Sequence, residues 1–126
     1  MPNKLTNVIP NQQKGTQLSK KETRFRIAIE NQLENGYSFK CLKQDDIKKF
    51  HEFIDYSINT SLTITQMDNQ FLRKEGPKAS IKINGADYEL IHYGKDRTPF
   101  RIFGYYNTDT YFVITKIDPH HSVHKL

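Results

Sequence analysis

The sequence predicts an α+β fold in which N-terminal helices pack on one face of a mainly antiparallel β-sheet. The prediction rests on a change of period, because apolar residues recur at helical spacing before Gly76 and alternate with polar residues after it. The chain has 126 residues, enough for one ordinary domain. Only 36% of them are hydrophobic, but 8 Phe and 7 Tyr can still fill one core.

The N-terminal part divides into an arm and a helix. Residues 1–18 are rich in Asn, Gln, Lys and Thr and show no period, which predicts a flexible arm before a single domain over 19–126. Ser19 and Glu22 have the spacing of a capping box, and Gly36 can end a helix. These signals predict a helix over 20–34, with a strand over 24–29 as the competing interpretation.

The middle of the chain predicts a short strand and two helices. Residues 37–42 alternate as in a strand, and Asp45 can cap the helix that follows. That helix has an apolar stripe that ends before a break at 59–61. A second helix runs from Ile64 through Phe71 up to Arg73-Lys74-Glu75, and Gly76-Pro77 stops it.

The last third predicts strands joined by tight turns. Alternation over 81–83, the turn Asn84-Gly85 and a strand over 88–93 form one hairpin. Two more strands follow, over 100–106 and 111–117, and Pro119 ends the last one. Both faces of these two strands carry apolar residues. We therefore expect them to be covered on both sides, or to keep one face for a ligand.

The charge of the chain favours an anionic partner. It has 19 Lys and Arg against 14 Asp and Glu, a net charge of +5. A first basic group lies before Glu22, where the chain has four lysines and no acidic residue. A second basic group lies among the aromatic residues of the last third: Lys95, Arg97, Arg101, Lys116 and Lys125. Such a surface can neutralise phosphates and stack bases, with Tyr93, Tyr105 and Tyr111 as stacking residues. Solubility alone is the alternative explanation of the charge.

Several classes of site and location are disfavoured. A single cysteine, Cys41, allows no internal disulfide and is too few for a Cys-based zinc site; we expect it to be a small buried hydrophobe. The chain shows no apolar run long enough to span a membrane and no apolar segment of a secretory signal at its start. These features predict a cytoplasmic protein without a metal or cofactor.

The order of a short strand, two helices and a three-stranded meander resembles the RelE/ParE superfamily of bacterial toxins. The similar local pieces are Tyr88-Glu89-Leu90, the basic turn 94–97, Phe100-Arg101-Ile102-Phe103, the turn 107–109 and the apolar strand Phe112-Val113-Ile114. The resemblance covers residues 37–126, so the N-terminal arm and helix are extra. Asp118-Pro119-His120-His121 stands where the family has a Lys-rich stretch.

The resemblance implies a toxin that cleaves mRNA without a metal, by attack of a 2′-hydroxyl, with the assistance of the ribosome. A cognate antitoxin would neutralise it. Arg101 would contact the phosphate with support from Arg97, and Glu89, His120, His121 or His124 would serve as acid or base. Lys95, Lys116 and Lys125 would join the RNA-binding surface.

Four alternatives stay open at this point. Arg101 can instead pair with a carboxylate such as Glu89, and the C-terminal histidines can be an inert tail. The same fold can serve as a non-catalytic nucleic-acid- or protein-binding module, or, on weaker grounds, as a ParE-like inhibitor of DNA gyrase.

Overall fold

The computed structural model describes residues 22–74, 78–95 and 97–122, and it has an α+β fold. Its helices are α1 (Gln44–Ser57) and α2 (Ile64–Phe71). Its strands are β1 (Ile27–Ala28), β2 (Leu72–Arg73), β3 (Ala79–Ile83), β4 (Ala86–Tyr93), β5 (Arg101–Tyr106) and β6 (Phe112–Asp118). Within these residues no helix combines the length and the apolar character that a membrane crossing needs. The predicted arm 1–18 lies outside the described residues.

The two helices occur where the apolar stripes predicted them, and local hydrogen bonds explain their starts. At α1 the carboxylate of Asp46 accepts the backbone N–H of Lys43 at 2.9 Å, so Asp46 rather than Asp45 satisfies the helix start. At α2 the Thr63 hydroxyl accepts from the Gln66 N–H, and the Gln66 side chain accepts from the Thr63 N–H. The predicted break between the helices is confirmed. α2 ends at Phe71 and Leu72–Arg73 form β2, so the predicted continuation of the helix is wrong at these two residues, whose backbone pairs with β4 instead. The predicted stop at Gly76-Pro77 lies outside the described residues.

The sheet is mixed, not antiparallel throughout. Its order is β1-β6-β5-β4-β2, and β3 pairs with residues 86–90 of β4. Strands β2 to β6 pair in antiparallel fashion, whereas β1 runs parallel to β6. The coarse prediction of α+β is thus confirmed, and the finer RelE-like arrangement stays a prediction.

The predicted helix over 20–34 is wrong for the residues that the structure describes, 22–34. This segment is extended or irregular, and it contains β1. Phe25 donates its N–H to the Leu62 carbonyl, and its ring lies 5.5 Å from the ring of Tyr93 in the core. Burial of Phe25 between the helices and the sheet outweighs the local helix signals. The competing strand interpretation is the closer one.

The predicted strand over 37–42 is also absent, and a 3-10 turn over Phe39–Cys41 takes its place. Segment 34–37 already pairs with β6, because the Glu34 N–H donates to the Thr115 carbonyl and the Ile117 N–H donates to the Tyr37 carbonyl. The next residues therefore turn away, and Cys41 is exposed rather than buried. The Phe39 ring packs 6.0 Å from Phe50 of α1.

The hairpin predictions of the last third are confirmed. Asn84 and Gly85 both have positive φ, 50° and 84°, as a two-residue turn of the primed type requires. Strands β5 and β6 are buried on both faces. A bulge interrupts their pairing, because Phe103 lies opposite Lys116 whereas Gly104 lies opposite Ile114. Thr115 is therefore the extra residue on β6.

The strands have two differently covered faces. The first, called the helix face, packs against α1 and α2 and carries most of the apolar core, including Tyr93, Ile102, Ile114 and Ile117. The second face carries the alternate residues, among them His92 and Phe103, whose rings stack 4.5 Å apart. No helix of the described residues belongs to this second face, and segment 31–37 runs along its edge beside β6.

Candidate nucleic-acid interface

One row of side chains on α1 faces the end of the sheet where β5 begins and β6 ends. Asp46, Lys49, Phe53 and Tyr56 follow one another at intervals of three or four residues, so they share one side of the helix. Phe53 is buried in the core, and Lys49 and Tyr56 line a pocket beside it. The row therefore borders a depression between α1 and Lys95, Thr98 and Phe100 of the loop that precedes β5, which we call the α1 groove.

Lys95 is held in the α1 groove by an aromatic ring. Its ammonium donates to the hydroxyl of Tyr56 at 3.1 Å and lies 4.4 Å from the centre of the same ring. The Tyr56 ring in turn stacks on Phe71 of α2 at 6.0 Å. A flexible lysine is thus restricted to one place, which lowers the entropy that it would lose on gripping a ligand.

The centre of the α1 groove is a pocket of about 190 Å³ with two ammonium groups at its border. Its lining includes Lys49, Glu52, Tyr56, Lys95, Thr98 and Phe100. The Tyr56 ring is already engaged by the Lys95 ammonium and by the ring of Phe71. The pocket therefore suits one anionic group such as a phosphate, not a stacked base.

An imidazole and a carboxylate meet at the N-terminal end of the same row. His120 Nε2 lies 3.5 Å from Asp46 Oδ1; the histidine side chain is 71% exposed and the aspartate side chain 4%. The other oxygen of Asp46 accepts the Lys43 N–H, which fixes the carboxylate. An exposed imidazole oriented by a fixed carboxylate can exchange protons with a bound molecule.

Arg101 is not part of an exposed site. The residue is 5% exposed, and its Nη1 donates to the carbonyls of Thr98 and Phe100. Its side chain also packs against Gly94, where a Cβ would lie 2.6 Å from it. The predicted contact of Arg101 with a phosphate does not fit this burial. Arg101 instead supports the loop 94–100 from within, and so positions Lys95.

Glu89 and His120, two of the predicted acids and bases, do not lie on the face of Arg101. By alternation along the strands, Arg101 belongs to the second face together with Phe103, whereas Glu89 lies on the side of Tyr93. His120 lies beside α1. His121 is half-buried with a positive φ of 57°. His124 and Lys125 lie outside the described residues.

The predicted stacking tyrosines serve other purposes. Tyr93 and Tyr105 are buried, so neither ring offers a face to a base, and the role predicted for them does not fit. The hydroxyl of Tyr93 donates to Asp68 at 2.6 Å, and that of Tyr105 accepts from Asn31 at 3.0 Å. The Tyr111 ring is covered by the guanidinium of Arg26 at 3.9 Å.

The remaining predicted cations divide between two places. Lys95 belongs to the α1 groove, and Arg97 is exposed on the same loop with a positive φ of 66°. Lys116 lies on the second face, in an ion pair with Glu34 at 3.1 Å. The predicted nucleic-acid surface is therefore not one continuous patch of these residues.

Sequence reasoning missed Asp46, Lys49 and Tyr56 as a group. Their helical spacing is visible in the sequence, but Asp46 and Lys49 do not belong to the apolar stripe that marks the buried side of α1. Comparisons of the chain with protein-family models, with curated proteins and with solved structures found no match.

Proposed function

We propose that the protein is a non-catalytic module that binds RNA through its phosphates at the α1 groove. The observation that carries the proposal is the position of Lys49 and the ring-held Lys95 around one small pocket. Glu52 also lines the pocket, so the charged side chains around it carry a net charge of one positive unit, which favours an anion. Arg97 adds an exposed cation on the same loop.

The distribution of charge in the chain supports this proposal. Residues 1–21 contain four lysines and no carboxylate, whereas the described residues contain fourteen basic and twelve acidic side chains. A basic segment at the start of the chain can neutralise further phosphates of a strand that the groove holds. Such contacts position a nucleic acid without reading its sequence.

The test is a mobility-shift titration with a short single-stranded RNA at salt concentrations from about 50 to about 200 mM. We expect affinity to fall steeply with salt, and Lys49→Met and Lys95→Met each to weaken binding and reduce the salt slope by about one. Lys82→Met is the matched control, because Lys82 lies on the β3–β4 hairpin and is paired with Asp87. Equal losses in all three variants, or no binding at low salt, would refute the groove as the RNA site.

A second function, a RelE-like endoribonuclease toxin, is favoured by the contact between His120 and Asp46. In this function His120 would take the proton of the attacking 2′-hydroxyl or give one to the leaving 5′-oxygen. Lys49, one helical turn from Asp46, would offset the charge that develops on the phosphate. The partners would be mRNA on the ribosome and a neutralising antitoxin.

The two functions are separated by examining the same RNA for fragments, with and without ribosomes. The endoribonuclease function predicts cleavage that His120→Gln abolishes while RNA binding is retained, and growth arrest when the wild-type chain is overexpressed. Binding without fragments, together with normal growth of cells that contain the soluble protein, would leave only the binding module.

A further inference from the structure

The second face of the sheet carries a cleft of about 450 Å³ that neither proposed function uses. Segment 31–34 forms one wall, and β3 with the adjoining part of β4 forms the other. The floor includes Thr115 and Lys116 of β6. This volume is within the usual range of small-molecule sites, about 300 to 1,000 Å³.

A nearly buried cation lies in this cleft. The side chain of Lys116 is 13% exposed, and its ammonium lies 3.1 Å from the carboxylate of Glu34, which is 52% exposed. The ammonium is also 5.2 Å from the centre of the Phe103 ring. The bulge at Thr115 places Lys116 on this face, so the strand irregularity aims the charge into the cleft.

The opposite wall is mainly apolar, with Ser80 as its polar residue. Ile81 and Ile83 of β3 and Leu90 of β4 line it, and all three are only half-buried in the structure. Apolar side chains facing one ammonium across a cleft match a molecule with a hydrocarbon body and one anionic head. A phosphate monoester would carry close to two negative charges beside Glu34, whereas a monocarboxylate carries the single charge that Lys116 can balance.

We propose that this cleft binds a small amphipathic monocarboxylate, whose carboxylate replaces Glu34 on Lys116 and whose body packs on Ile81, Ile83 and Leu90. The ligand would exchange one ion pair of Lys116 for another and bury apolar surface in addition. Binding at this site is independent of RNA binding at the α1 groove, since the cleft and the groove share no lining residue.

The test is calorimetric titration of the full chain with octanoate, and with octylamine as a probe of the head group. We expect octanoate to bind and octylamine to bind at least about tenfold more weakly, because a carboxylate can pair with the Lys116 ammonium whereas a second ammonium is repelled by it. Lys116→Met should weaken octanoate by at least about tenfold. Lys82→Met, the control, should leave the affinity unchanged, because Lys82 lies outside the cleft lining and pairs with Asp87.

Two further variants keep the proposal falsifiable if Lys116→Met does not fold. Glu34→Gln removes the competing carboxylate and should tighten octanoate several-fold, whereas Leu90→Asn should weaken it by shortening the apolar wall. The proposal would be overturned if octanoate gave no heat of binding, or if octylamine bound with the same affinity as octanoate. It would also be overturned if the affinity for octanoate were unchanged in both Lys116→Met and Glu34→Gln.

Discussion

Asp118 lies directly opposite Arg101 in the register of β5 and β6, and both residues are almost completely buried. Asp118 also accepts hydrogen bonds from the backbone N–H and the hydroxyl of Ser122, each at 2.9 Å. Buried charges of opposite sign on neighbouring strands offset each other's desolvation. The arginine that the sequence suggested for phosphate binding is therefore opposed by a carboxylate inside the protein.

Arg101→Met should destabilise the fold by about 3–5 kcal/mol, because it leaves the Asp118 carboxylate buried without the opposing charge. Urea denaturation measures this loss. The double variant Arg101→Met, Asp118→Leu should recover part of it, since no charge is then buried. Arg97→Met, at an exposed position, serves as the control. Equal stability of the two single arginine variants would show that the interior charge pair has no structural role.

The hydroxyl of Tyr93 predicts a loss of stability at alkaline pH. Burial, together with Tyr106 and Asp68 nearby, raises the pKa of Tyr93 far above its ordinary value near 10. The unfolded chain therefore loses this proton above pH 10 while the folded chain keeps it. The stabilisation is complete below that pH, and it falls by about 1.4 kcal/mol per pH unit as the pH rises further.

Tyr93→Phe is the variant that tests this dependence. It should lose about 1 kcal/mol at neutral pH with the hydrogen bond to Asp68, and it should show a shallower decline above pH 10. Urea midpoints measured at a series of pH values check both effects. Parallel curves for the variant and the wild type would exclude Tyr93 as the titrating group.

Gly104 is required for the close approach of β5 and β6. A Cβ at this position would lie 2.2 Å from the Val113 carbonyl oxygen and 2.9 Å from the Phe112 ring. Gly104→Ala should therefore lower stability by about 1–3 kcal/mol or more, since backbone must move. Thermal unfolding measures the effect. Gly36→Ala provides a contrast, because no atom lies within 4 Å of its Cβ position and only its positive φ opposes the change.

Asp46 and His120 should differ in what they contribute to stability. Asp46→Ala removes the acceptor of the Lys43 N–H at the start of α1 and should cost about 1 kcal/mol. His120→Ala removes an exposed side chain and should change stability by less than about 0.5 kcal/mol. Chemical denaturation of both variants checks the difference. A large loss in His120→Ala would indicate that the contact is structural.

The parts of the fold that short-range chemistry determines were predictable from the sequence. The turn at Asn84-Gly85 and the two helices depend on neighbouring residues, and they lie where expected. The extended path around Phe25 could not be predicted from the sequence, because its ring is buried by the helices and by Phe112 of β6, 5.8 Å away. A capping signal in the sequence cannot reveal that distant competition.

The candidate site was less predictable than the fold for a similar reason. The exposure of Lys95 could be anticipated, since a turn residue is usually at the surface. Its predicted role in nucleic-acid binding stays a prediction. The contact between Asp46 and His120 joins residues 74 positions apart and depends on how α1 lies over the end of β6. The burial of Arg101 likewise depends on Asp118 across the strand pair, which alternation alone does not show.

Thr115 has a consequence for how the chain can vary in length. Because Thr115 is the extra residue, its deletion would leave Ile114 and Lys116 adjacent, opposite Gly104 and Phe103, as in a regular strand pair. Ile117 would then stay in the core, and Asp118 would stay opposite Arg101. β6 can therefore lose one residue at this point without a change of register, and homologous chains can differ there by one residue.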